Sequence, residues 1–283
     1  MYSALAALRP RAIGIGVAVG IMTLAAPVRA QDVDRLTSQC AGEHDETDDE
    51  ILAACSTLIA LPQLDAKQRS LAYSNRAYAY QGKNDFDRAL ADASEAIKLD
   101  PASSRAYYRR GDIYKNRNQN DLALQDFNEA IKLDPQVPVY FVDRSNIYLA
   151  TRQFDLAIRD LDEALRLDPK DEIEAIVNRC NVLTFKGDFD AALADCRKGV
   201  EQHPDDYYAP SRLAFLFFKM NRLDDSIAAY DKALAFPDVD PYGKAYILYG
   251  RGLAKLKKGD QAGGEADMTA GKALAKDIAI EFE

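Results

Sequence analysis

Two columns of opposite charge carry the clearest chemical signal in the chain. Arg76, Arg110, Arg144, Arg179 and Arg251 form one column, and Asp92, Asp126, Asp160, Asp195 and Asp267 form another. Arginines in a row could grip anionic ligands through their planar guanidinium forks. Paired with the aspartates, they would instead be internal struts. The stretch between Tyr207 and Phe236 favours struts, because it carries Leu213 and Ala229 at the two places and so loses both partners together. This covariation inside one sequence argues that each arginine meets the aspartate of its own segment. Pairing between neighbours would leave Asp195 and Arg251 both alone. A half-buried pair of this kind contributes geometric specificity more surely than net stability.

Nothing else in the chain has the spacing of a catalytic centre. There is no GxSxG, phosphate loop or HExxH. The two histidines, His44 and His203, both fall where turns are expected. The chain therefore reads as no enzyme, with no metal and no cofactor. The acidic run Glu43, Asp45, Glu46, Asp48, Asp49 and Glu50 lacks the glycine and spacing of a calcium loop. It precedes a helix instead, where carboxylates are favoured by the helix N-terminus. The cysteines are Cys40, Cys55, Cys180 and Cys196, with spacings of 15 and 16 that are too wide for CxxC redox or zinc motifs.

The elements that position these residues repeat. From Ser70 to Pro169 three copies align without a gap at a period of 34 residues, punctuated by Pro101, Pro135 and Pro169. Each copy holds two amphipathic helical patterns, which is the signature of stacked helical hairpins. In the copy ending at Pro135 the helices run over roughly 105–116 and 121–133. Small residues stand in register in the first helix (Ala77, Gly111, Ser145, Cys180, Ala214, Gly252) and in the second (Ala89, Ala123, Ala157, Ala192, Ser226, Gly264). Large residues such as Tyr80, Tyr114 and Tyr148 fill the space between them. These columns extend the array past Pro169 to about Leu274. A linker over 237–243 precedes the last copy, and a short helix over 276–283 covers the end of the stack.

Residues 1–30 have different chemistry. Arg9 and Arg11 precede the apolar run AIGIGVAVGIMTLAA, and small residues follow up to Ala30. This reads as a secretory signal peptide cut after Ala30, with an uncleaved anchor as the alternative. The whole chain carries a net charge of −9, and taking away the three leader arginines makes the remainder −12. An acidic body without a basic stripe argues against nucleic acid.

The period, the small–large columns and the LDP endings resemble the tetratricopeptide repeat over about Ser70 to Leu274. The tryptophan often found early in the first helix is replaced by Tyr73, Tyr107 and Phe141. The resemblance implies an all-α, right-handed solenoid of about seven antiparallel hairpins. Its parts would be a degenerate cap over 31–69, five units over 70–236, and a divergent unit with a capping helix over 237–283. The whole is similar to exported repeat proteins of alphaproteobacteria. ILAACSTLI around Cys55 aligns with AALADCRKGV around Cys196, so Cys55 and Cys196 share a place in the second helix. Their partners fall where the two helices of a hairpin face each other, which predicts disulfides Cys40–Cys55 and Cys180–Cys196. Free buried thiols are the alternative.

The resemblance also implies a concave face lined by first helices. Register places Tyr78, Tyr108, Asp112, Asn146, Leu149, Asn181, Tyr208, Phe215 and Phe218 there. Asparagine amides and tyrosine rings in such a groove can hold an extended peptide. Some relatives clamp a terminal carboxylate with two lysines, two asparagines and an arginine. Asn146, Asn178 and Arg212 match three of those places, while Val142 and Tyr208 stand where the lysines would be. The expected role is a non-catalytic scaffold of the bacterial periplasm for a protein or peptide partner, with no membrane insertion after cleavage. A self-associating envelope protein is the alternative, and an accessory subunit of an enzyme or assembly complex is a third.

Overall fold

Why the helices end where they do explains the architecture. The chain must reverse after each first helix, and in the six hairpins from Ala66 onward it does so through one residue in the left-handed region. These residues are Asn84, Asn118, Arg152, Gly187, Asn221 and Gly259, with φ between 56° and 99°. Asparagine and glycine tolerate that conformation best. In the four middle hairpins that end at Leu99, Leu133, Leu167 and Gln202, an Asp-Pro or His-Pro pair stops the second helix and turns the chain into the next hairpin.

The computed structural model describes residues 30–169 and 173–282. All but the last residue of the expected leader lies outside these described residues. Fourteen α-helices follow one another there, with no strand. They pair as α1 (Ala30–Ala41) with α2 (Asp48–Ala60), α3 (Ala66–Gly82) with α4 (Phe86–Leu99), and α5 (Ser104–Asn116) with α6 (Asn120–Leu133). Next come α7 (Pro138–Ala150) with α8 (Phe154–Leu167), α9 (Ile173–Lys186) with α10 (Phe189–Gln202), and α11 (Tyr208–Lys219) with α12 (Leu223–Leu234). The last pair is α13 (Pro241–Lys258) with α14 (Gln261–Leu274), followed by a 3-10 turn, Ile278–Phe282. Each helix packs on its successor, and first helices also touch first helices of the next hairpin. Among the described residues, no helix is long and apolar enough to cross a membrane.

The small columns are where helices meet. Ala77, Ala89, Ala123, Ala157, Ala192 and Ala214 are fully buried. A Cβ on Gly111 would stand 2.9 Å from the Phe127 ring, itself fully buried. The last hairpin carries this furthest. A Cβ on Gly252 would stand 2.8 Å from the Gly264 carbonyl oxygen, and one on Gly271 2.9 Å from the Ala245 oxygen. The glycines of α14 therefore let two backbones touch, rather than loosening the copy as their low helix propensity suggests.

Each column arginine grips the column aspartate of its own hairpin with two hydrogen bonds. Arg76 holds Asp92 at 2.6 and 2.9 Å, Arg110 holds Asp126 at 2.7 Å twice, and Arg144 holds Asp160 at 2.8 and 2.6 Å. Arg179 with Asp195 and Arg251 with Asp267 repeat the geometry. Aromatic rings sandwich the guanidinium, as Tyr107 and Tyr114 do for Arg110 at 5.8 and 6.0 Å. Four arginines also reach the second helix of the preceding hairpin. Arg76 donates to Ser56, Arg144 to Asn128, Arg179 to Asp162 and Arg251 to Asp231. The strut thus ties neighbouring units as well as closing its own. In the hairpin of α11 and α12, Leu213 and Ala229 pack into apolar clusters instead.

The disulfides Cys40–Cys55 and Cys180–Cys196 both form, with Cα atoms 4.8 and 5.3 Å apart, each joining the two helices of one hairpin. The acidic run is an N-terminal cap: Glu50 closes a capping box with Thr47 at the start of α2. One expectation needs correction at the far end. The linker is shorter than 237–243, because Asp240 caps a helix that starts at Pro241. The tail forms a short 3-10 helix, Ile278–Phe282, that runs onto the inner face of α11 and α13.

Candidate functional site

The first helices place one residue in every three or four on the inner face, so that face is read along α3, α5, α7, α9, α11 and α13. Its three stretches differ.

The first stretch is closed by its own side chains. The Tyr108 hydroxyl donates to Asp143 at 2.7 Å, and the ring stacks on Tyr140 at 4.8 Å. Burial pushes the Tyr108 phenol far up, and the Asp143 charge adds to it. Lys115 bridges Asp143 and Asp112 at 2.5 and 2.8 Å, while Gln81 donates to Asp112 at 2.8 Å. Burial works against the Lys115 ammonium, but Asp143 and Asp112 outweigh it and raise its pKa. Tyr108 and Asp112 are therefore struts of this network, not open groove residues. Tyr78 is 52% exposed, lies over the Arg109 guanidinium at 4.4 Å, and does not line the cavity described next.

The middle stretch is open. A cavity of about 530 Å³ is lined by Asn146, Leu149, Asn178, Asn181, Tyr208 and Arg212, with Phe185, Phe154, Ala150 and Arg152 completing the wall. A polar line crosses it from helix to helix. The Tyr208 hydroxyl donates to Asn178 Oδ1 at 2.9 Å, and Asn178 Nδ2 donates to Asn146 Oδ1 at 3.2 Å. Asn181 is 8% exposed, and its buried Oδ1 accepts no hydrogen bond within the protein. An unsatisfied buried acceptor costs about 1–3 kcal/mol, so a donor from outside would be well received. Arg152 adds a cation at the left-handed turn position that other hairpins give to asparagine or glycine. A longer side chain is strained there, and strain of this kind clusters at functional sites.

The last stretch is covered. Phe215 is fully buried and so does not line a groove. Register puts it on the right face, but Phe282 from the tail lies across it with ring centroids 5.4 Å apart. Phe218 is half-buried under the Lys257 ammonium at 5.2 Å. Of the eleven residues expected in the groove, the structure brings Asn146, Leu149, Asn178, Asn181, Tyr208 and Arg212 into one cavity. The sequence reading missed Asp143 and Lys115, which close the first stretch, and Phe185 and Arg152 in the cavity wall. Asp143 and Phe185 stand in inner-face columns that register could have exposed. Nothing in the sequence marked Phe282.

Comparison with known proteins adds the family. Models described as tetratricopeptide repeat match residues 74–138, 140–171 and 186–247. No curated protein matches. A tetratricopeptide repeat protein from Parabacteroides merdae superposes with a TM-score of 0.69 at 16% identity, over 89% of this chain and 98% of that one. The Cut9–Hcn1 heterotetramer of the APC/C aligns at a TM-score of 0.69 and 14% identity, over 88% of this chain and 48% of that one. PilW, a type IV pilus biogenesis factor, aligns at 0.63 and 20% identity, over 75% and 96%. The period, the small columns, the hairpin stack and these matches converge: the chain is an all-α tetratricopeptide-repeat solenoid.

Proposed function

We propose that the protein is a non-catalytic binding scaffold of the cell envelope, and that the cavity between α7, α9 and α11 holds an extended segment of a protein partner. The observation that carries this is the cavity's chemistry. Its amides and hydroxyl are ordered by one another, its apolar wall can take side chains, and Asn181 in that wall has an Oδ1 with no hydrogen-bond partner inside the protein. The envelope location is supported by the basic–apolar–small leader in the sequence and by two disulfides, which persist in oxidising compartments. The name of the pilus factor PilW, a protein of the same fold, agrees with an assembly role but does not supply the partner.

Asn181→Leu tests the reading with a signature that a merely structural residue would not give. It removes an acceptor that has no internal donor, so the variant's melting temperature should be unchanged or higher. Partner retention from an envelope extract should nevertheless fall about tenfold, roughly 1.4 kcal/mol. Unchanged retention by a folded Asn181→Leu chain would count against the cavity. Light scattering on the purified chain separates this from self-association, which would appear as mass above a monomer without any extract.

A further inference from the structure

The tail does more than end the stack. Ile278 is fully buried and Phe282 is 8% exposed. The Phe282 ring stacks on Tyr246 at 4.7 Å and meets Phe215 and Tyr249 at 5.4 Å each. These partners come from α11 and α13. The seat is close-packed at Gly250, where a Cβ would run into the buried Tyr230 hydroxyl and stand 2.9 Å from the Phe282 ring. It is also continuous with the cavity. Phe185, a cavity wall, lies 5.2 Å from Phe215, and Arg212, another, lies 4.2 Å over Tyr246.

The edge of the seat is basic in an acidic protein. Lys219 donates to the Phe282 carbonyl oxygen at 3.5 Å, and its ammonium packs beside Phe185 and Phe215. Burial, with Arg152 and Lys257 close by, pushes the Lys219 ammonium down from its ordinary pKa. A carboxylate would relieve that crowding of like charge. The occupying segment itself reads Asp277-Ile-Ala-Ile-Glu-Phe282, an aromatic residue with acidic neighbours.

The geometry points to a second ligand subsite: the seat filled by Phe282 takes an aromatic side chain of an acid-flanked partner segment, which displaces the tail and continues into the cavity. This rests on the binding reading given above. The tail is then a built-in stand-in for the ligand. It lowers the partner's apparent affinity by the fraction of time it fills the seat. The Lys219 hydrogen bond to the tail is long, at 3.5 Å, and the buried Ile278 and Phe282 side chains are what displacement must expose.

The test uses the full chain and a fluorescein-labelled peptide with the sequence of residues 276–282, followed by anisotropy. Phe282→Ala should bind this peptide about tenfold or more tightly than the wild-type chain. Adding Lys219→Ala to that variant should weaken binding several-fold and flatten its salt dependence. A peptide carrying alanine in place of its phenylalanine should not bind. A folded Phe282→Ala chain that binds the peptide no better than wild type overturns the proposal and leaves the tail as a structural cap. If Phe282→Ala lacks a cooperative melt, Phe282→Leu, which keeps apolar volume and loses the ring stack, is read in the same way. A wild-type dimer that dissociates in the Phe282 variant would mean that tails exchange between copies, which also overturns it. Loss of partner retention in Asn181→Leu, with no change in Phe282→Ala, would sink this inference alone and leave the cavity reading standing.

Discussion

Asp126→Ala should cost about 2–3 kcal/mol, and Arg110→Leu in the same chain should return most of it. Asp126 is 4% exposed and is the carboxylate that Arg110 pairs with among the described residues, so its removal strands the Arg110 guanidinium between Tyr107 and Tyr114. Truncating one partner of a fully buried pair costs about 3–5 kcal/mol, and the partial exposure of Arg110 argues for the lower end. The double variant copies an arrangement the chain already uses, in the hairpin where Leu213 and Ala229 stand at these places. At Asp160, burial raises the carboxyl pKa despite the bidentate Arg144, so desolvation outweighs the attraction there. Urea denaturation at constant slope measures both variants. Equal losses in single and double would contradict the pairing.

Loss of Cys40–Cys55, by Cys40→Ala with Cys55→Ala, should cost about 2–4 kcal/mol. The effect should stay local, because each hairpin of a solenoid contacts only its neighbours. The first hairpin has no Arg–Asp strut and leans on a small cluster around Ile51, Leu58, Leu61 and Leu64. Its amides over 30–64 should therefore exchange early, while those of α5 to α8 keep their protection. The Cys180–Cys196 bridge lies between hairpins that flank it on both sides, so its loss should loosen less. Hydrogen exchange on the two double variants compares them. Uniform loss of protection along the chain would contradict the local account.

Much of this was legible in residue types. The small columns had to be contact points, because only small side chains let helices approach. Leu213 and Ala229 gave away the struts by losing both charges together. The cysteine pairs followed from alignment of the two hairpins that carry them. What could not be read is how neighbours fill a face. Register put Tyr108, Asp112 and Phe215 on the inner side of the stack. It could not say that Asp143 and Lys115 would close around two of them, or that Phe282, distant in sequence, would lie on the third. The arginines' bonds to the preceding hairpin, such as Arg144 to Asn128, were equally hidden, since they depend on the angle between units.

The binding surface is tested most directly by placing a photo-crosslinking amino acid at Leu149, in the cavity wall, and at Leu156, exposed on α8. Both chains are irradiated in an envelope extract, with and without Asn181→Leu. The account predicts a discrete adduct at position 149 that weakens with Asn181→Leu, and none at position 156. An adduct at 156 with none at 149, or one at 149 indifferent to Asn181, would contradict it.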